Sequence, residues 1–452
     1  MRKTLQMVPA LLLALTLGAC DTDSLLDLQP LDEISSDIAI TDATSAQAAL
    51  NGAYSGLQSG AYYGGDYVLW SETLTDNLVH EGTYDEYADA DLLFLRPDMG
   101  GIDGMWTAIY NAINRVNEII QKVPEIDDID SGTANSILGQ AYALRALHYF
   151  NLVRAWGEVP LVLTPPATLD EAAQVTRAPV GQVYGQIEAD LAQAATLLGG
   201  GAGGDRTLVT PGFIPAIRAR IALYREDWAG AVAAARQVQT SGDYGLAGSY
   251  GSLFSAQGDP TSEDIFRVLF DGTDQNNQGF FMQYGGRFEI GATQSIYNAY
   301  PGGDLRHEWN FGGTGDGIEV VKYPTTQGFE DIHVIRYGEV LLILAEGLAQ
   351  QGGTANLQEA IGYVNDIRTR AAVDEYTFGV DVTSQSEVLD AIFRERRLEL
   401  AFEGEYWFDL VRTNRAAATL GANFDAHEGL WPIPVSERDV APNLTQNPGY
   451  GG

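Results

Sequence analysis

Residues 71–87, SETLTDNLVHEGTYDEY, place Asp76, Asn77, His80, Tyr84 and Tyr87 within seventeen positions. Aromatic rings beside carboxylate and amide groups suit one kind of chemistry. A neutral sugar has apolar C–H faces and a rim of hydroxyls, so holding it takes flat rings together with short polar side chains. A second supply of rings lies in residues 241–331, with Phe280, Phe281, Tyr284, Phe288, Tyr297, Tyr300, Trp309 and Phe311. The candidate ligand contacts are Asp76, Asn77, Tyr84 and Tyr87 from the first segment and Tyr284 and Trp309 from the second. Tyr63, from the neighbouring glycine-rich stretch, is a further candidate.

Other constellations point away from catalysis. Glu395, Arg396, Arg397, Glu399, Glu403 and Asp409 alternate sign along one segment. A glycosidase pair needs a raised carboxyl pKa and a sugar-sized gap, and neighbouring arginines oppose both. The segment reads as an ion-pair network tying the last helices together, and no catalytic residue is expected. His80, His148, His307, His333 and His427 show no pairing at zinc-ligand spacing, so no metal site is expected. No nucleophile elbow, phosphate loop or dinucleotide fingerprint is present, so no cofactor is expected either. The run DGTDQNNQG (271–279) is rich in oxygen ligands but lacks the spacing and closing glutamate of a calcium hand, and reads as a solvated loop.

The chain of 452 residues carries 26 basic and 61 acidic residues, a net charge of −35. Such a field repels phosphate backbones and excludes nucleic acid as a partner. It fits a salty habitat, where repulsion is screened, and equally an ordinary acidic extracellular protein. Cys20 is the only cysteine. Arg2 and Lys3 precede the run LQMVPALLLALTLGA, which is too short to span a bilayer and has the form of a secretory signal. LGAC resembles the bacterial lipobox, in which the thiol is acylated and becomes the first mature residue. Cleavage there removes residues 1–19 with Arg2 and Lys3, deepening the net charge by two to −37. Acyl chains on Cys20 would hold the protein to membrane lipid.

The body reads as helical. Apolar residues recur at helical spacing in 44–58, with Thr44 or Ser45 as cap, and in 105–123, 134–156, 180–198 and 211–226. Residues 213–238 and 334–371 each read as helix, turn, helix. The segments 105–123 with 134–156, and 180–198 with a neighbour, supply two further pairs. Small residues fall where paired helices approach closely, as in tetratricopeptide units. Residues 59–103 and 241–331 read as irregular insertions, apart from a strand at 264–270. Trp106, Trp156 and Trp228 read as core residues. The expected fold is mainly α: tetratricopeptide-like helix pairs in a right-handed superhelical scaffold, with long loop insertions and minor β.

Five stretches occur in order: LLDLQP after Cys20, ALRALHYFNLVRAWGEVPLV (143–162), RYGEVLLILAEGLA (336–349), ERRLELAFEGEYWFDLVR (395–412) and LWPIPVSERDVAPNLTQNPGY (430–450). Together they resemble the SusD/RagB family of outer-membrane nutrient-binding lipoproteins, across essentially the whole mature chain. That family usually places an arginine before the aromatic-Phe-Asp-Leu run, where this chain has Glu405 and Tyr406, a departure that bears on a local salt bridge. The resemblance implies four helix pairs supporting a loop-built ligand face. It also implies an oligosaccharide or other nutrient as ligand, and a TonB-dependent, SusC-like outer-membrane transporter as partner. The implied division is a signal peptide at 1–19 and a single domain at 20–452. Within it, 20–43 is the anchor linker, 44–330 the helical part bearing the ligand loops, and 331–452 the C-terminal helices with a WPIP and QNPGY clasp. The implied function is a non-catalytic binder on the outer membrane; a helical interaction scaffold without a small ligand is the other reading.

Overall fold

The computed structural model describes residues 40–165, 168, 171, 173–200, 204–255, 260–313 and 315–451. Cys20 and the signal segment lie outside these residues. Helix α1, Ala43–Leu57, starts one step before Thr44 because Asp42 is the better cap. Its carboxylate accepts the Ser45 N–H at 2.8 Å, while the Ser45 hydroxyl oxygen accepts the Asp42 N–H at 2.9 Å. Ala46, Leu50, Ala53 and Leu57 form its buried stripe. Helix α2, Asp66–Thr73, and helix α3, Asp85–Asp91, occupy the stretch expected to be irregular. Every residue of α2 from Tyr67 to Thr73 is buried, so it shows no polar face and no helical period.

Helix α4, Gly100–Lys122, packs between α1 and α5, Ser131–Trp156, which is buried almost throughout from Ile137 onward. Helix α6, Val180–Leu198, lies along α5, where Arg145 grips Asp190 through two bonds of 2.8 and 2.7 Å. The neighbour expected for 180–198 is therefore α5. Helices α7, Phe213–Tyr224, and α8, Trp228–Ser241, form the next pair, with the Asp227 carboxylate capping α8. Two short antiparallel sheets follow: β1 (Leu78–His80) with β3 (Ile290–Ala292), and β2 (Asp264–Val268) with β4 (Ile332–Arg336). Val334, Ile335 and Arg336, expected to open a helix, belong to β4 because the β-branched run pairs with β2. Between them lie α9 (Gln278–Met282), α10 (Gln294–Ala299) and α11 (Leu305–Asn310). Helices α12 (Tyr337–Gln351), α13 (Thr354–Arg370) and α14 (Gln385–Glu399) continue the stack from α8. Gly347 of α12 meets Val232 of α8 so closely that a Cβ would sit 2.8 Å from its side chain. Three short helices close the chain: α15 (Tyr406–Arg412), α16 (Ala416–Leu420) and α17 (Val435–Val440).

One apolar core runs from Ile40 to Tyr450. Trp106 and Trp156 are buried in it with ring centroids 5.5 Å apart, and Trp431 meets Trp156 at 5.1 Å. The C-terminal segment is sewn to the end of α5: the Trp431 N–H donates to the Ala155 carbonyl, and Asn447 donates to the carbonyls of Trp156 and Trp431. Trp228 meets the expectation in part, packing against the core without full burial. It stands at the first position of α8, where the preceding turn leaves one side open, and is only half-buried.

The acidic and basic residues of 395–409 do form a network, and it is buried. Arg336 bonds Glu399 at 2.6 Å and Glu403 at 2.8 Å, Arg306 bonds Glu395 at 2.7 Å, and Arg396 bonds Asp409 at 2.9 Å. Burial alone would raise the Glu403 carboxyl, but the Arg336 and Lys322 charges hold it down at about 2. Lys322 is pushed down to about 8 by burial, which outweighs the pull of Glu403. Where the family usually has arginine, in the Glu405–Tyr406 pair before the Trp407–Phe408–Asp409–Leu410 run, Glu405 accepts from Arg154 at 2.9 and 3.1 Å and lies 3.4 Å from Arg220.

Candidate ligand-binding cleft

The β1–β3 ladder joins the two aromatic insertions, pairing Leu78 with Ala292, Val79 with Gly291 and His80 with Ile290. Beyond β1 the chain turns through Thr83 and Tyr84 into α3. Before β3 the 278–289 segment folds back on itself, with the N–H groups of Arg287 and Glu289 donating to the Phe280 and Phe281 carbonyls at 2.7 Å each. The first turn, 60–65, is fastened to the second segment by the Asn277 N–H, which donates to the Gly64 carbonyl at 2.7 Å. Gly65 is obligatory there, since a Cβ would lie 2.4 Å from the Gly60 oxygen.

These segments enclose an open cleft of about 560 Å³ walled by Trp70, Tyr84, Tyr87 and Phe281, with Asp66, Glu86 and Asn277 among its polar lining. Tyr87 and Phe281 have centroids 5.7 Å apart, and Tyr84 meets Phe281 edge-on at 6.1 Å. The Tyr84 ring is 43% exposed, whereas Tyr87 is 5% exposed and its hydroxyl donates to Asp66 at 2.9 Å. Burial, reinforced by the negative charge of Glu86, pushes the Asp66 carboxyl up to about 6. Glu86 accepts the N–H groups of Gly100 and Gly101 at 2.7 and 2.8 Å, closing the N-terminus of α4 with a carboxylate, the charge its dipole favours. Gly101 also lets Trp70 lie flat against the backbone, where a Cβ would be 2.3 Å from the ring.

Glu289 organises the rim. Its carboxylate accepts from the Thr83 N–H at 2.7 Å, from the Tyr84 N–H, and from Arg287 at 2.8 Å; His80 lies 3.1 Å away. Burial would raise this carboxyl, but these donors, Arg287 first, leave it lowered. Among the described residues no group of three or more His, Cys, Asp or Glu side chains is arranged to hold a metal ion.

The residues singled out in the sequence are divided by the fold. Tyr84 and Tyr87 line the cleft together. Tyr284 is exposed on the same folded-back segment, its ring 4.1 Å from Phe288 and its hydroxyl donating to the Gly317 carbonyl. Trp309 is exposed on α11 and lies across Gly251, outside the lining of the cleft. Asp76, Asn77 and Tyr63 face inward. The Asp76 carboxylate accepts from Arg397 and Ser295, and the fully buried Asn77 amide links Glu72 to Arg397. Tyr63 is buried and accepts from Asn151. Trp70, Phe281, Asp66, Asn277, Arg287 and Glu289 escaped selection. Trp70 and Phe281 carried a signal, as aromatic residues of the first and second insertions.

Fold and cleft together define a class: a helical-repeat scaffold that carries its aromatic groups on insertions between the helix pairs. The family model described as SusD family matches residues 268–450, and that described as starch-binding associating with outer membrane matches residues 30–202. The chain belongs to the SusD/RagB family. It is 26% identical over 507 aligned residues to SusD-like protein P38 of Formosa agariphila, covering 97% of this chain and 98% of that one. It is 31% identical over 177 residues to the starch-binding protein SusD of Bacteroides thetaiotaomicron, a match covering 37% of this chain and 29% of that one. A SusD superfamily protein of Bacteroides vulgatus superposes with a TM-score of 0.82 at 23% identity, over 90% of this chain and 99% of that one, and shows the same mainly helical fold.

Proposed function

We propose that this chain is a non-catalytic outer-membrane lipoprotein that binds oligosaccharide and delivers it to a TonB-dependent, SusC-like transporter. The observation that carries the reading is the aromatic cleft. Tyr84 and Phe281 offer ring surface for the C–H faces of a sugar, and Asp66, Glu86 and Asn277 offer acceptors and a carboxamide for its hydroxyls. Tyr84, Tyr87 and Phe281 are the primary contacts, with Tyr284 and Trp309 on more distant parts of the ligand face. Family membership supports a carbohydrate ligand and an outer-membrane setting, since one matching model is described in those terms. Cys20 supplies the anchor, and the helical scaffold faces the transporter.

Calorimetric titration of the full-length protein with neutral oligosaccharides built from glucose, xylose and mannose tests the reading. Saturable binding of at least one, lost with its rings, is the expected result. Absence of binding across the panel, with the protein folded, would favour the helical interaction scaffold instead.

A further inference from the structure

A second cavity, of about 380 Å³, opens among the α7–α8 turn, α12, α14 and the end of α15, and shares no lining residue with the aromatic cleft. Its volume falls within the range of about 300–1,000 Å³ for small-molecule sites. Trp228 and Phe393 supply aromatic surface there. Trp228 is half-buried at the start of α8, packed against the core and also lining this space.

Of the charged side chains lining the cavity, Glu346, Arg412 and Arg415 are already paired, while Glu226 is exposed. Both terminal nitrogens of Arg412 bond Glu346, at 2.6 and 2.8 Å, and its Nε donates to Asp409 at 2.8 Å. Arg415 pairs with Asp390 at 2.5 Å and lies over the Phe393 ring at 4.5 Å. An anionic ligand would have to break these pairs. Besides the Glu226 carboxylate, the groups left over are neutral: the side-chain amides of Gln350 and Asn414 and the indole N–H of Trp228 make no hydrogen bond among the described residues. Asn414 sits in the left-handed region at φ 54°, which asparagine tolerates, just past the end of α15 and at the edge of the cavity.

We propose that this cavity is a second carbohydrate site, taking the end of a neutral oligosaccharide against Trp228 and Phe393, with Gln350 and Asn414 bonding its hydroxyls. Trp70 and Trp228 give each site its own reporter. Full-length protein carrying 5-fluorotryptophan is titrated with the same glucose, xylose and mannose oligosaccharides and followed by fluorine NMR, the Trp228 signal being assigned with Trp228→Phe. The expected result is a saturable shift of the Trp228 signal that persists in Tyr84→Ala. Gln350→Ala should raise the midpoint about fivefold, the equivalent of about one hydrogen bond. A Trp228 signal that no sugar moves, or that ceases to move in Tyr84→Ala, overturns the proposal. A failure of the cleft reading shows separately, as a Trp70 signal that no sugar moves.

Discussion

The guanidinium of Arg287 lies over the ring of Tyr84, its central carbon 3.6 Å from the ring centroid. Both residues are held by one carboxylate: Glu289 accepts the Arg287 Nε–H and the backbone N–H of Tyr84. The cation covers part of the ring and fixes its plane, leaving the exposed remainder to a ligand. Two segments some two hundred residues apart in sequence are thereby locked into one surface.

Glu289→Ala should loosen that lock. It leaves the Thr83 and Tyr84 amides without an acceptor and Arg287 without its pair, so the rim turn loses order. Amide exchange at Thr83 and Tyr84 should accelerate, and oligosaccharide affinity should fall about tenfold. Helix content should be unchanged, because the substitution lies outside the helix stack. Unaltered exchange at these two amides would show that the rim is held by its packing alone.

Ring deletions should separate binding from stability. Tyr84→Ala and Phe281→Ala should each weaken sugar binding several-fold, on the order of 1 kcal/mol per lost aromatic contact. Tyr87→Ala should weaken binding and also lower the melting temperature, since its ring is buried and its hydroxyl bonds Asp66. Trp106→Ala should cost roughly 3–5 kcal/mol of stability as a large-to-small core change, with affinity preserved in the folded fraction. Thermal melts beside titrations distinguish the two classes. Loop variants that lose stability and keep affinity would mark these rings as packing anchors.

How much of this was readable in advance follows from periodicity. Helices α1, α4, α6 and α8 each present enough contrast between apolar and polar positions for a period near 3.6 to be seen. Helix α2 does not, because burial on all sides erases the contrast between faces. The first turn of α4 was hidden by Gly100, Gly101 and Gly104, weak helix formers that Glu86 compensates from another segment. The same logic divides the site residues. Asp76 and Asn77 have the composition of a ligand loop, but the partner that consumes them, Arg397, lies more than three hundred positions away. Phe281 enters the cleft through the β1–β3 pairing, which a three-residue strand does not announce.

The anchor gives a prediction in the cell. Cys20 is the only thiol and follows LGA at the end of the apolar run. Cys20→Ser should block acylation and release the protein from the membrane fraction or stall its processing. A variant that fractionates fully with the membrane would refute lipidation at this residue.

Asp66 should make stability depend on pH in a defined window. Burial raises its carboxyl from 3.8 to about 6, so the folded state holds the proton more tightly than the unfolded chain. Its stabilising effect is full below about pH 4 and is lost as pH rises through about 6. Asp66→Asn keeps a side-chain oxygen for the Tyr87 hydroxyl and removes the buried charge. The variant should be more stable than the parent near pH 7.5, by up to about 3 kcal/mol and with a higher melting temperature, and the gap should close near pH 4. A difference in melting that stays constant between these two pH values would show that the carboxylate is not the titrating group.

The buried ion pair at Glu405 provides the sharpest structural test. Arg154 is buried, donates to both Glu405 oxygens and to the Tyr67 hydroxyl, and lies 4.1 Å over the Phe408 ring; Arg220 approaches Glu405 from the other side. Two guanidinium groups therefore converge on one carboxylate, with Glu339 satisfying the rest of Arg220. Glu405→Gln leaves Arg154 without its counter-charge in an interior site, a loss of about 3–5 kcal/mol for a broken buried pair. Glu405→Arg, the residue the family pattern usually has near this point, should be worse, since it puts a third cation beside two others. Combining it with Arg154→Glu restores one opposite-charge pair but forfeits the stacking of Arg154 on Phe408, so recovery should be partial. Denaturant melts of the two single variants and the double give the coupling directly. Additive losses, with no recovery in the double variant, would mean that Glu405 is held by Arg220 alone and that the Arg154 contact contributes nothing measurable.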